Sequence, residues 1–193
     1  MEILDKQNIL KNEPLQKSGD HSDQLVQISF KPRRKSDMHP IRWVWADFYH
    51  LSVVQLYEIL ALRESIFIVE QNVPYVDIDG KDIHCIHLMG YKENEMIGYM
   101  RLVPLDLFEK GYYSFGRVVV KAEERGTGLG RKLVQEGIRR LDEIRNDYPI
   151  KISSQLYLKD FYSSFGFIPI GDPYIEDQIS HIAMVRQDSR SEK

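Results

Sequence analysis

The residues Arg125-Gly126-Thr127-Gly128-Leu129-Gly130-Arg131 place three glycines at alternate positions among basic side chains, with Lys132 next in line. An unbroken apolar run, Val118-Val119-Val120, precedes them. Leu129, Leu133, Val134, Ile138, Leu141 and Ile144 follow at helical spacing. Glycines opening a helix let a ligand approach backbone N–H groups that have no partner within the helix. The partial positive charge there suits an anion, above all a phosphate or pyrophosphate. A Walker loop requires Gly-x-x-x-x-Gly-Lys-Ser/Thr, which the chain lacks. The dinucleotide fingerprint requires a third glycine at position 131, where Arg131 stands.

Other residue groups offer less chemistry. Asp77-Ile78-Asp79-Gly80-Lys81-Asp82 hints at a calcium loop, but alignment on Gly80 puts Tyr75 and Ile86 at its first and last ligand positions. His84 and His87 sit an odd number of residues apart in an expected strand and so face opposite sides. Cys85, the single cysteine, excludes a disulfide scaffold and reads as a buried hydrophobe. No metal site is expected.

The elements that must position the loop follow from hydrophobic spacing. Residues 41–48 read as a strand, and Ser52-Val53-Val54-Gln55 as a capping box opening a helix to about residue 65. Residues 83–91 and 96–103 form an expected hairpin around a four-residue turn, with a loop at 73–82 before it. Residues 115–120 read as a strand buried on both faces. A helix follows from 129 to 144, then a strand at 150–154, and a helix at 156–165 ended by Gly166. Short strands at 168–170 and 181–185 flank a Gly/Asp/Pro turn. This order predicts an α/β fold with a mixed sheet, part antiparallel and part joined by crossover helices.

Length and charge narrow the class. The 193 residues suffice for one domain of about 150 with a surplus. That surplus lies at residues 1–38, which are polar, near neutral and read as a mobile tail, with a basic cluster at 31–35 taken as linker. Residues 39–188 form the expected domain and 189–193 a polar end. A net charge of −3 gives no global field to recruit nucleic acid or membrane, and no apolar run reaches spanning length. The expectation is a cytoplasmic protein with no membrane or nucleic-acid partner.

Arg125-x-x-Gly128-x-Gly130 after the valine run resembles the acetyl-coenzyme A motif of the GCN5-related N-acetyltransferases (GNAT). Phe161-Tyr162-Ser163-Ser164-Phe165-Gly166-Phe167 resembles their second signature. Residues 62–75, Asp77-Ile78-Asp79-Gly80 and 177–182 are similar to the ElaA-type branch. The resemblance spans about 41–186. It implies the GNAT fold: a mixed central sheet with a splayed strand pair and helices on both faces. It also implies acetyl-CoA as co-substrate and a small-molecule or peptide amine as acceptor. A homodimer is compatible with it. Gln155 stands where many members carry an asparagine that holds the pantetheine arm, and Ala122 where many carry proline.

What the resemblance implies can be assigned by residue. Arg125, Gly126, Thr127, Gly128, Leu129, Gly130 and Arg131 hold the pyrophosphate; Val118, Val119 and Val120 supply N–H groups to the thioester carbonyl; Gln155 and Phe161 flank the cofactor. Tyr162 is the candidate acid for the departing thiolate, because a phenol stays protonated at neutral pH. The base is open. Glu70 lies at helical offsets from Arg63 and Phe67, and its apolar neighbours would raise its pKa. An Arg63–Glu70 ion pair is the plainer alternative. His181 is a second candidate base. Arg63, Phe67, Gln71 and Asp79 are candidate substrate-binding residues in a pocket built from 63–82 and the C-terminal strands. The alternatives to an acetyltransferase are a non-catalytic acyl-CoA sensor, a nucleic-acid adaptor using the basic cluster, and an acyl-homoserine-lactone synthase, which shares the fold and an Arg-x-x-x-Phe helix.

Overall fold

The computed structural model describes residues 40–187. The expected N-terminal tail with its basic cluster and the C-terminal end at 189–193 lie outside the described residues.

Strand β1 (Arg42–Asp47) leads to helix α1 (Val53–Arg63), which continues without a break as a π-helix over Glu64–Glu70. The capping box is formed: the Gln55 N–H donates to Ser52 Oγ at 3.1 Å, and the Ser52 N–H to Gln55 Oε1 at 2.9 Å. After a loop and a short 3₁₀ turn at Asp82–His84 come β2 (Ile86–Lys92), β3 (Glu95–Val103) and β4 (Ser114–Val120). Helix α2 (Leu129–Ile144), β5 (Ile150–Gln155), helix α3 (Lys159–Ser163), β6 (Ile168–Glu176) and β7 (Ile179–Arg186) complete the order.

The strands form two antiparallel sheets, β1-β2-β3-β4 and β5-β7-β6. The parallel pairing that the α2 crossover predicts shrinks to one bridge, Tyr113 with Ile150. Beyond it β4 and β5 diverge. The run 118–120 is therefore not buried on both faces: Val119 is buried, whereas Val118 and Val120 are half-buried. A strand whose outer edge lacks a neighbour leaves alternate side chains at an opening.

Alternation along the strands builds two cores, one on each face of the first sheet. Leu88, Met100 and Leu102 join Leu133, Val134 and Leu141 of α2, and the same cluster continues into Ile152, Phe167 and Met184 of the second sheet side. Met89, Tyr91 and Tyr99 point the other way, onto Ile59, Leu62 and Ile66 of the first helix. Helices thus cover both faces. At Gly137 an added Cβ would lie 2.5 Å from Met100 Sδ, so α2 packs on β3 closely enough that the Met100 side chain would have to shift to admit one.

Other differences from the sequence reading are local. The first hairpin turns through two residues, Glu93 and Asn94, because Lys92 and Glu95 pair. His84 belongs to the 3₁₀ turn and not to the strand. The helix expected at 156–165 starts as a 3₁₀ turn, Leu156–Leu158, before α3. Gly171-Asp172-Pro173 is an irregularity inside the longer β6. The actual turn is Asp177-Gln178, both with positive φ (47° and 64°), as in a type I′ hairpin. No helix among the described residues is long and apolar enough to cross a membrane.

Candidate active site

The glycine loop has the backbone that its composition requires. Gly126 and Gly128 have φ of 74° and 84°, a region that side chains disfavour. A Cβ at either would meet nothing within 4 Å, so the loop's outer face is open. Gly128 is the N-cap of α2, and no side chain caps that end. The first helical bond runs from the Lys132 N–H to the Gly128 carbonyl at 3.1 Å, which leaves the earlier amide donors for another acceptor. Thr127 Oγ1 donates to the Glu124 carbonyl at 2.7 Å and braces the turn. These features fit a diphosphate: open space, unspent N–H groups and the positive end of a 16-residue helix.

The flanking arginines are engaged elsewhere. Arg125 donates from Nη1 and Nη2 to the two Glu70 carboxylate oxygens, and from Nε to the Val120 carbonyl. Arg131 donates to Ser164 Oγ at 3.0 Å and lies over the Phe165 ring, 4.9 Å from its centroid, with Phe161 slightly farther.

The divergence of β4 and β5 opens a cleft of about 490 Å³. It gathers Phe67, Gln71, Asp79, Val118, Gln155, Tyr162 and His181, residues that the sequence had assigned to three separate roles. Gln155 donates to Gln71 Oε1 at 3.4 Å across the cleft. Arg63, Glu70 and the glycine loop are not in its wall.

Tyr162 is 6% exposed, and burial pushes its phenol well above the ordinary tyrosine range, so it is protonated at any physiological pH. Its hydroxyl makes no hydrogen bond to another described residue, which leaves it free to donate into the cleft. His181 Nδ1 lies 2.9 Å from the Ile179 carbonyl. A carbonyl can only accept, so Nδ1 carries the proton in the neutral ring and the lone pair sits on Nε2. Nε2 has no partner among the described residues. The imidazole is thereby oriented as a proton acceptor.

Glu70 requires correction as a base of raised pKa. The hydrogen bonds from Arg125 hold its carboxyl below the ordinary glutamate range. Nor does it share a side of the helix with Arg63. The π-helix bonds i to i+5, as from the Gln71 N–H to the Ile66 carbonyl at 3.0 Å, and this wider turn rotates residue 70 away from residue 63.

Arg63 is also corrected, both as a partner of Glu70 and as a substrate-binding residue. It is fully buried. Its Nε donates to Asp77 Oδ2 at 2.8 Å and its Nη1 to Asp82. Around it three arginines and three aspartates interlock. Arg101 donates to Asp79 at 2.8 and 2.7 Å and to Asp82 at 2.8 Å. Arg117 Nε donates to Asp77 Oδ1 at 2.6 Å. Burial alone would raise the Asp79 and Asp82 carboxyls, but the arginines outweigh it and hold both below the ordinary aspartate range. Asp79 is thus a cleft residue whose oxygens are already taken. Behind it, the buried His87 bridges Tyr99 Oη and the Asp82 carbonyl, and burial lowers its pKa. Burial pushes the Cys85 thiol up to about 11.

The sequence reading missed Arg101, Arg117, Ser153 and Glu176 in the cleft wall. Local spacing holds no signal for them, since Arg101 is 22 residues from Asp79 and Arg117 is 40 from Asp77.

A diverging strand pair, a cleft between its members and an uncapped glycine-rich helix start define an acyl-CoA N-acyltransferase of the GNAT class. The acetyltransferase (GNAT) domain family matches residues 71–187, and the chain belongs to that family. Protein ElaA of Escherichia coli K12 is 40% identical over 147 residues, 74% of this chain and 95% of ElaA. The crystal structure of E. coli ElaA superposes with a TM-score of 0.72 at 38% identity, over 77% of this chain and 100% of that one. An acyl-CoA N-acyltransferase from Pseudomonas aeruginosa does so with a TM-score of 0.72 at 33% identity, over 76% of this chain and 99% of that one.

Proposed function

We propose that the chain moves an acetyl group from acetyl-CoA to a primary amine by direct attack on the thioester. The observation that carries this reading is the pairing of Tyr162 and His181 in one cleft, one held as a donor and the other as an acceptor.

The chemistry needs a neutral amine. His181 Nε2 takes a proton from the acceptor's ammonium, directly or through a water. The freed nitrogen lone pair forms the C–N bond at the acetyl carbonyl. Backbone N–H groups of 118–120, on the strand that carries Val118 into the cleft wall, stabilise the oxyanion that develops in this reading. The C–S bond then breaks, Tyr162 Oη donates its proton to the leaving thiolate, and the second proton that the nitrogen loses as the amide forms restores the phenol through water. The glycine loop and the α2 N-terminus hold the diphosphate of the donor, outside the cleft where the bonds change.

The test is to incubate purified protein with acetyl-CoA and a panel of primary amines, reading CoA release and the mass of acetylated product. Transfer to an amine that depends on Tyr162 and His181 is expected. Binding of acetyl-CoA with no transfer to any amine would make the protein a sensor and not an enzyme.

A further inference from the structure

The cleft separates its charges. The loop and the first sheet contribute Lys81, Arg101 and Arg117 against one carboxylate, Asp79, which Arg101 already holds, while the second sheet contributes Glu176 and Asp177 with no lysine or arginine. His181, the proton acceptor, stands on the acidic side: it pairs in register with Tyr174 of the same hairpin.

Arg117 is built to reach a ligand. It occupies β4 with φ of 52°, where β4 holds an extra residue opposite β3: Tyr99 pairs with Val119 but Arg101 with Gly116. Such a bulge re-aims a side chain and commonly marks a functional position. Its Nε and Nη2 are held by Asp77 and Asp79. Both N–H groups of Nη1 lack an acceptor among the described residues, and the side chain is 23% exposed on the cleft wall. Rings of Phe67 and Tyr75 lie 6.0 and 5.8 Å from its guanidinium carbon and fix its plane.

Arg101 supplies a second, independent indication. It is 4% exposed, yet its Nε–H has no partner among the described residues. Its end-on grip of Asp79 and its bond to Asp82 use three of the five guanidinium donors. The remaining two lie along one edge, the edge with which arginine takes a carboxylate in bidentate fashion. A buried charged donor left unmet is costly, and an anion entering this corner removes that cost. Asp79 cannot serve, because its oxygens are already shared between Arg101 and Arg117.

We propose that the acceptor is a small aminocarboxylate, its ammonium beside His181, Glu176 and Asp177 and its carboxylate at Arg117 and the free edge of Arg101. The idea deepens the acetyltransferase reading and rests on it. The polarity of the cleft then orients the acceptor: the end that must lose a proton is drawn to the side that carries the base.

The experiment compares matched acceptors with acetyl-CoA and the full chain: a series of amino acids of increasing chain length, the carboxamide of each, and the alkylamine lacking the group altogether. For the best chain length, kcat/KM is expected to be at least about 10-fold higher for the free carboxylate than for its carboxamide, since a site built around a hydrogen-bonding group rejects the analogue lacking it. Arg117→Gln should shrink that ratio to below about 3-fold, through KM and not kcat, the pattern of lost binding. Arg117→Lys, which keeps the charge without the paired donors, should fall between. Lys81→Met provides a second variant, since the Lys81 side chain has no ion-pair partner among the described residues, and should lower the ratio as well. Carboxamides or alkylamines acetylated as fast as the amino acids would overturn the aminocarboxylate assignment while leaving the acetyltransferase reading intact. Acetyl-CoA binding with no amine acetylated would overturn both.

Discussion

Glu70 and Arg125 are joined by two parallel hydrogen bonds of 2.7 and 2.9 Å, tying the end of the π-helix to the first residue of the glycine loop across 55 positions of chain. Both side chains are 43% exposed. The carboxylate that looked like a base in sequence is therefore a tether on the arginine that opens the glycine loop.

Glu70→Gln separates these two roles. An exposed ion pair is worth at most about 1 kcal/mol, which is roughly 5-fold in an equilibrium constant. Releasing Arg125 should accordingly lower KM for acetyl-CoA by about 2- to 5-fold and change kcat by less than about 3-fold. Steady-state kinetics at varied acetyl-CoA measure both. A fall in kcat of about 100-fold, the scale of a lost general base, would return the proton-accepting role to Glu70.

Tyr162→Phe removes one hydroxyl that has no described partner, so the fold should hold. Turnover is expected to fall by about 10²-fold, the lower range for loss of a general acid. Calorimetric affinity for acetyl-CoA should stay within about 3-fold, since the proposed role of the phenol is on the leaving group and not in donor binding. Equal turnover in mutant and parent would strip Tyr162 of its part in the reaction.

Gly128→Val tests the donor site. Residue 128 sits at φ 84°, where a β-branched side chain is strained, and its Cβ would project into the space that the diphosphate needs. Acetyl-CoA affinity should drop by about 10-fold or more, with a stability loss of about 1–2 kcal/mol from the backbone. Affinity that survives in the folded variant would place the diphosphate somewhere other than this loop.

The interlocked arginines and aspartates predict an acid-sensitive core. Asp79 and Asp82 have folded pKa values below the ordinary 3.8, so the unfolded chain binds more protons in this range and stability rises with pH. Their contribution is complete above about pH 4 and is lost as pH falls through the depressed folded values. Urea midpoints between pH 2 and 6 should show this slope. Arg63→Met leaves Asp77 and Asp82 short of a buried partner and should cost about 3–5 kcal/mol at pH 7, with a smaller loss near pH 3 where Asp82, freed of one arginine, can protonate. A loss at pH 7 no larger than at pH 3 would contradict the charge balance described for this cluster.

Much of this protein is written locally. The α2 boundaries follow from Gly128 and the spacing of Leu129, Leu133, Val134, Ile138 and Leu141, because one amphipathic face and one glycine suffice to place a helix. The same holds for the capping box at Ser52 and the positive φ of the loop glycines. The π-helix was not legible: nothing in Glu64–Glu70 distinguishes i+5 from i+4 bonding, and that choice alone moved Glu70 from one partner to another.

By itself, then, the sequence determined the order of elements, the GNAT family and the loop that suits a diphosphate, since each depends on neighbours within a turn or two of chain. Tertiary structure decided which charges meet. Arg63, Arg101 and Arg117 find Asp77, Asp79 and Asp82 only because the first sheet and the preceding loop pack together. His181 faces the Tyr162 cleft only because β4 and β5 part beyond a single bridge. Coulombic and hydrogen-bonding partners act over a few ångströms of space, whatever the separation along the chain, and so these pairings become visible only in the folded molecule.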